Sequence, residues 1–373
     1  MAKDEPGEAF RKWRGEYGSV YTYWLGELPA VAITDYETTV ETLVKDGDAY
    51  AGRTDFIEFN ELIRGGTYGV VMTEGELWRD QRRFALHVLR NFGLGKNLMQ
   101  EKVLDEVNAM VTRIKNEIFE GHNEHNLLNQ LDISVGSIIN ALLFGYRFEG
   151  EKLSEFLELK ALLQNQMRDF ASPIVMCMMK GTHFFKYIPV FRSMYYKLES
   201  NREQLYGFFR KQVDEHKANL DFTTDSEPMD YVEAFLREQQ KRDQEGVKHS
   251  FTNIQLLNMC NDLWMAGQET TSNTIGWCMI YMIAHPEVQD KAHDELDRMI
   301  GSDRLITVAD RSQLHYVNSI VHETQRLSNL VPHNAIHRTT RDVIIKGFRI
   351  PKDTSIVPQI SAVLYDEKCV PQA

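Results

Sequence analysis

The sequence predicts a mainly helical protein with a small β-sheet region. Three observations carry this. Proline-free stretches run long between residues 77 and 352, one of them reads as a helix of roughly 32 residues, and β-type runs cluster near the two ends. In chain order, residues 17–33 (YGSVYTYWLGELPAVAI) are rich in aromatic and β-branched side chains broken by Gly and Pro, which predicts short strands with a turn at Gly26-Glu27. Asp35 then caps a helix running toward Val44. Residues 252–284 form the clearest element: Thr252 with Gln255 makes a capping box, Ile254, Leu257, Leu263 and Trp264 follow at helical spacings, and Pro286 stops the run. Residues 288–300 and 314–330 read as two further helices. Past Pro332 come short β-type runs at 343–345, 348–351 and 355–357, separated by turn residues.

Composition bounds the function. The chain has 373 residues, 43% of them hydrophobic, and no Gly/Ser-rich or Pro-rich linker, so one domain is expected over 1–373, with a strand and helix region at 1–55, a helical core at 56–330 and a sheet region at 331–373. With 54 acidic against 42 basic side chains, a formal charge of -12 argues against general affinity for nucleic acid or anionic lipid. Cys177, Cys260, Cys278 and Cys369 show no C-x-x-C pairing, and Cys260 and Cys278 stand roughly 27 Å apart along one helix, too far to bridge, so a reducing compartment is expected. The first residues, Met1 to Pro6, lack the apolar core of a signal peptide, and no later window offers about 18 uncharged apolar residues, so no transmembrane anchor is expected.

Several residues could carry chemistry. Ala266-Gly267-Gln268-Glu269-Thr270-Thr271 lies in mid-helix, where a glycine costs about 1 kcal/mol relative to alanine and something should offset it. Two readings are open: the small residues admit a ligand against the helix, with the Thr270 hydroxyl bonding it beside the Glu269 carboxylate, or they form a packing notch with Thr270 bonding back to the carbonyl four residues earlier. Glu323 and Arg326 are spaced to face each other on a helix that also carries Val317, Ile320, Val321 and Leu327, which predicts a largely buried element around a completed ion pair. Trp78 and Arg82 share one helical face, and both can donate to a carboxylate; taken alone, they read more simply as an amphipathic helix with Trp partly buried and Arg solvated. His337 is a lone histidine, a type more often structural. Arg79, Arg82, Arg83, Arg90 and Lys96 make a local basic cluster, and residues 173–191 an unusually apolar stretch.

In this order, the hexapeptide around Thr270 and Glu323-Thr324-Gln325-Arg326 resemble the oxygen-activation helix and the Glu-x-x-Arg helix of the cytochrome P-450 superfamily, the haem-thiolate monooxygenases. Trp78 to Arg82 fits the family's Trp-x-x-x-Arg pattern. The segments at 84–96, 143–148, 284–289 and 350–354 resemble the vertebrate drug-metabolising group and its invertebrate relatives, the microsomal family-two type. The resemblance implies the cytochrome P-450 fold and haem (iron protoporphyrin IX) as cofactor. Electrons would come from NADPH through a reductase, with cytochrome b5 as a second partner, for insertion of one oxygen atom into an apolar substrate of xenobiotic, fatty-acid or steroid type. It assigns proton steering to Thr270 and Glu269, the haem-facing surface to Ala266 and Gly267, propionate contacts to Trp78, Arg82 and His337, and a structural pair to Glu323 and Arg326. The substrate pocket would draw on 56–72, 262–269 and 331–336, and the reductase would meet the basic cluster. It also implies the cytoplasmic face of the endoplasmic reticulum, with 173–191 touching the membrane, against a soluble intracellular reading that the lack of an anchor favours. The family's Phe-x-x-Gly-x-Arg-x-Cys-x-Gly segment does not occur in this sequence, and Cys369 lacks the flanking glycines of that loop. The expectation is therefore a C-terminally incomplete fold with no metal ligand of its own. The competing reading is an inactive truncated isoform, an incomplete gene model or a pseudoenzyme.

Overall fold

Five strands form a mixed sheet in the order Val20–Leu25, Leu28–Ile33, Ser355–Pro358, His337–Arg338 and Gly52–Arg53. The computed structural model describes residues 6–25, 28–54, 56–92, 97–223, 227–332 and 334–366. Expectations for Met1 to Glu5, the Gly26-Glu27 turn, Gly93 to Lys96 and Cys369 fall outside these. The chain divides into two compact units, the first made of Met1–Phe56, Met72–Glu76 and Gln325–Ala373, the second of Ile57–Val71 and Leu77–Thr324.

The first unit holds the sheet. After α1 (Pro6–Tyr17), β1 (Val20–Leu25) pairs antiparallel with β2 (Leu28–Ile33), bringing Val20 opposite Ile33 and Leu25 opposite Leu28. Asp35 caps α2 (Tyr36–Thr39) by accepting the Thr38 N–H at 3.0 Å, and the helix widens into a π segment over Val40–Lys45, so the helix expected toward Val44 exists in two geometries. β3 (Gly52–Arg53) is the far edge. From the other end of the chain come β4 (His337–Arg338), the hairpin β5 (Val343–Ile345) and β6 (Phe348–Ile350), then β7 (Ser355–Pro358) and α15 (Ile360–Leu364). β7 runs parallel to β2, Ile356 beside Val31, and buries Ile356 and Val357. The hairpin turns on Lys346 and Gly347, both at positive φ (47° and 83°), the two-residue turn whose twist suits antiparallel strands. Helix α1 was not legible beforehand: it is strongly charged, and its Phe10 and Trp13 rings pack edge-on against Tyr23 and Tyr21 of β1.

The second unit is helical: α3 (Ile57–Arg64), α4 (Gly75–Asn91, from Leu77 onward in this unit), α5 (Asn97–Phe119), α6 (Leu127–Phe144), α7 (Leu153–Phe170), α8 (Pro173–Met178), α9 (Thr182–Phe185), α10 (Pro189–Asn219), α11 (Tyr231–Glu245), α12 (Asn253–Ala284), α13 (Pro286–Met299) and α14 (His315–Ser328, up to Thr324 in this unit). Its core gathers Phe156, Phe209, Tyr231, Phe235, Phe251 and Trp264, all fully buried. Helix α12 has 32 residues, about 48 Å at the ordinary helical rise, and packs most extensively on α6. Helix α6 is apolar enough and long enough to cross a membrane, with a mean hydropathy of 1.4. Just over half of it (56%) is nonetheless buried, the signature of a core helix. It carries one charge, Asp132, and so escapes a search for uncharged windows.

Two expectations are corrected. The capping box at Thr252 is only half made: Thr252 accepts the Gln255 N–H at 3.3 Å, but the Gln255 side chain turns away to hold the backbone of Gly69, accepting its N–H at 2.9 Å and donating to its carbonyl at 3.1 Å. Two backbone bonds outweigh the one it would have made at the cap. Helix α14 is not largely buried: only Thr324 is, while Glu323, Val321 and Leu327 are exposed, because among the described residues nothing covers that face.

Candidate functional site

The stretch from Ala266 to Thr271 lies at the middle of α12 and presents two different faces. Gly267 faces α6, where a Cβ would sit 2.1 Å from the Ile139 Cδ1; the missing side chain is what lets the two helices approach. The Thr270 hydroxyl donates to the Ala266 carbonyl at 2.6 Å, and Thr274 repeats this to Thr270 at 2.8 Å. Both halves of the packing-notch reading are therefore present. The opposite face is open: Ala266, Thr270, Asn273 and Trp277, spaced four, three and four apart, are all exposed. Glu269 is half-buried. One of its carboxylate oxygens has the Asn273 amide at 3.4 Å and the other, Oε1, is buried without a donor.

One turn earlier, Asp262 anchors the loop that precedes α4. Its Oδ1 accepts from Arg64 Nη1 at 2.7 Å and its Oδ2 takes the N–H groups of Val70 and Val71 at 2.8 and 3.0 Å. Asn258 donates to the Arg64 carbonyl at 3.2 Å and accepts from the Tyr206 hydroxyl at 2.6 Å. The segment from Arg64 to Val71 is thus held along α12 through Gln255, Asn258 and Asp262. Sequence reading placed both this segment and Asp262 near the substrate but not their pairing, since no local signal marks a pair 198 positions apart.

On α4, the Arg82 guanidinium lies over the Trp78 ring, 5.4 Å from its centre. Trp78 is half-buried and Arg82 exposed. The helix is fixed from behind by Gln81, fully buried, which donates to the Ser250 hydroxyl at 2.8 Å, while that hydroxyl donates to Asp80 at 2.9 Å. Arg79, Arg83 and Arg90 are exposed along it. Three-residue and larger groups of His, Cys, Asp and Glu suited to a metal ion are absent among the described residues. Cys177 is exposed, Cys260 buried and Cys278 half-buried.

In the first unit, His337 on β4 is half-buried beside Arg53 on β3. Its Nδ1 lies 2.8 Å from the Tyr50 carbonyl and 2.9 Å from Arg53 Nη1. Burial and the neighbouring guanidinium pull its pKa below the usual histidine value, which favours the neutral ring. The two contacts select different tautomers: a proton on Nδ1 serves the carbonyl, and a proton on Nε2 leaves Nδ1 to accept from Arg53 and gives Nε2–H to an outside acceptor. Arg53 is a candidate that sequence reading missed. Arg326 donates to the Leu364 carbonyl at 3.3 Å and lies over the Tyr365 ring.

The profile of the cytochrome P450 family matches residues 1–373. The chain belongs to the cytochrome P450 family. It is 33% identical over 364 residues to cytochrome P450 2C16 of Oryctolagus cuniculus, covering 98% of this chain and 72% of the relative. It is 33% identical over 371 residues to cytochrome P450 2H1 of Gallus gallus (97% and 71%), and 31% identical over 363 residues to cytochrome P450 2B15 of Rattus norvegicus (96% and 70%). Within the P450 family the chain is of the family-two type, and its class is that of oxidoreductases of the monooxygenase kind.

The family implies haem, a flat apolar ring bearing two carboxylate arms. The residues fit such a group on two observations. On the exposed face of α12, Ala266 and Thr270 stand one turn apart with small side chains and one hydroxyl. Trp78 Nε1–H and the Arg82 guanidinium, on one helix, offer donors suited to a carboxylate.

Proposed function

We propose that this P450 inserts one oxygen atom of dioxygen into an apolar small molecule of xenobiotic, fatty-acid or steroid type. The reading is carried by the open face of α12, where Ala266 and Thr270 stand side by side in the residue order of the family's oxygen-activation helix. Haem, when bound, would supply dioxygen cleavage and oxygen transfer. The chain's own residues bind, orient and move protons. Trp78 and Arg82 would donate to a propionate. Thr270 Oγ1 holds its hydrogen against the Ala266 carbonyl and keeps its lone pairs for a water on the open face. To donate toward that face it gives up the Ala266 bond, an exchange worth about 0.5–1.5 kcal/mol. Glu269, the next residue toward the N-terminus, replenishes the proton.

NADPH-derived electrons arrive through a reductase that docks on the exposed basic residues Arg79, Arg83 and Arg90 of α4, with cytochrome b5 as a second donor. The protein works on the cytoplasmic face of the endoplasmic reticulum. Residues 173–191 support that placement, since Met176, Phe184, Tyr187 and Val190 are all exposed while Val175 and Met178 anchor the segment in the core.

Haem titration of the apoprotein tests the reading. Arg82→Leu removes a charged hydrogen bond of about 1.5–3 kcal/mol, so haem should dissociate roughly tenfold to a hundredfold faster than from the parent. Equal retention by Arg82→Leu and by Trp78→Phe would remove α4 from the haem site.

A further inference from the structure

Away from the face of α12 described above, the connection between α6 and α7, the end of α10 and the first turn of α11 enclose a cleft of about 260 Å³. Its lining includes Tyr146, Lys152, Gln212, Glu215 and Leu220. The walls are held by bonds of their own. His216 spans from the Gln212 carbonyl at 2.8 Å to Asp230 Oδ2 at 2.9 Å, and Asp230 Oδ1 caps α11 by accepting the Glu233 N–H at 2.8 Å. Glu233 in turn accepts from Arg237 Nε and from the Met229 N–H, both at 2.9 Å. Asn140 donates to the Tyr146 carbonyl at 2.9 Å, and the Tyr146 hydroxyl donates to Glu155 at 3.2 Å. The cleft is therefore part of the fold and not a gap between loose side chains.

Three of the lining groups keep spare capacity. The Lys152 ammonium lies 4.5 Å from the centre of the Tyr146 ring and is otherwise held only by long contacts of 3.3 and 3.4 Å to Glu155. The ring thus already serves as a cation platform, occupied by a half-buried, rotatable side chain. Glu215 is exposed, and its carboxylate has no hydrogen-bond or ion-pair partner among the described residues; only its backbone is engaged, with Asn219 Nδ2 at 2.9 Å from its carbonyl. Gln212 is 1% exposed, and its Nε2 is buried without an acceptor, a state that costs free energy until an oxygen meets it. An ammonium matches the ring and the carboxylate, and an oxygen acceptor matches the amide.

We propose that this cleft binds a small organic ammonium ion bearing a hydroxyl or carbonyl oxygen, its charge between the Tyr146 ring and Glu215 and its oxygen on the Gln212 amide. Lys152 fills the cationic place in the absence of ligand and swings out to admit it. Neither haem nor the oxygen chemistry enters this inference.

Equilibrium dialysis of the full chain against labelled choline tests it. Choline should be retained, tetramethylammonium, which lacks the hydroxyl, more weakly, and the neutral tert-butyl analogue of choline, in which carbon replaces nitrogen, hardly at all. Glu215→Gln and Tyr146→Leu should each weaken choline roughly twofold to fivefold, while Tyr146→Phe, which keeps the ring, should bind as the parent does. Lys152→Met removes the competing ammonium and should tighten binding. Gln212→Met should erase the preference for choline over tetramethylammonium. No retention of choline, equal retention of its neutral analogue, parent affinity in Glu215→Gln, or weaker binding in Lys152→Met would each overturn the proposal.

Discussion

Asp262 and Arg64, 198 positions apart, form a buried ion pair at 2.7 Å between α12 and the end of α3, with side-chain exposures of 0% and 5%. The pair is supplemented by the Val70 and Val71 N–H groups on the second oxygen of Asp262. A charge pair this dry is worth keeping only when its remaining hydrogen-bonding capacity is largely met; here the loop backbone meets that of Asp262, while Arg64 Nε is buried without an acceptor. Gly69, at φ +88°, makes that possible, since a Cβ on it would lie 2.3 Å from Asp262 Oδ2.

Asp262→Ala should therefore destabilise the protein by about 3–5 kcal/mol, because it strands Arg64 in the interior and frees two backbone donors. Denaturant unfolding measures the loss, and limited proteolysis should show new cleavage between Arg64 and Val71. A cost under about 1 kcal/mol would mean that the loop is held by Gln255 and Asn258 without the ion pair.

Gly267→Ala sets two effects against each other. Alanine gains about 1 kcal/mol of helix propensity, while the new Cβ overlaps Ile139 Cδ1 and overpacking costs about 1–3 kcal/mol. The single variant should be neutral to moderately destabilised. Ile139→Val removes the overlapping methyl, so the double variant should melt above Gly267→Ala alone; a lower melting point would place the notch elsewhere.

His216 supplies a pH dependence. Its Nδ1 faces the Gln212 carbonyl at 2.8 Å and its Nε2 faces Asp230 at 2.9 Å, two acceptors that only the doubly protonated ring can satisfy together. Burial pulls its pKa down, but the hydrogen bond and charge of Asp230, the Gln212 carbonyl and the nearby charge of Glu233 outweigh it, and the net shift is upward from 6.5. A raised folded-state pKa means that the contribution is fully present below about 6.5 and is lost as pH rises through the folded value. Unfolding free energy measured between pH 6 and 9 should fall in the parent more than in His216→Gln; parallel profiles would rule the latch out.

How far the sequence reached depended on whether the signal was local. Helix α12 was readable to within a residue, because Thr252 caps it and Pro286 ends it. The strands at 343–345, 348–350 and 355–358 were likewise marked by β-branched runs between turn residues. Arg53 was invisible as a site residue, since its significance comes from a partner that tertiary folding brings beside it; Asp262 and Arg64 both lay in stretches expected to line the pocket, but nothing local marked them as a pair. The burial of α14 was misjudged for a related reason: Val321 and Leu327 announce an apolar face, but periodicity cannot say what covers it.

Thr270 separates structure from chemistry. It is exposed and bonded only to its own helix, so Thr270→Ala should change stability by no more than about 0.5 kcal/mol. The same change should divert reducing equivalents from product into peroxide at full haem occupancy. An unchanged product-to-peroxide ratio would leave α12 with the packing role alone.

Isotopically labelled dioxygen tests the central claim most directly. With haem bound, NADPH and a reductase present and an apolar probe supplied, the account predicts one labelled oxygen atom in each product molecule and the other in water. Product carrying unlabelled oxygen, or haem-loaded protein that consumes dioxygen and leaves every apolar probe unoxidised, would contradict it.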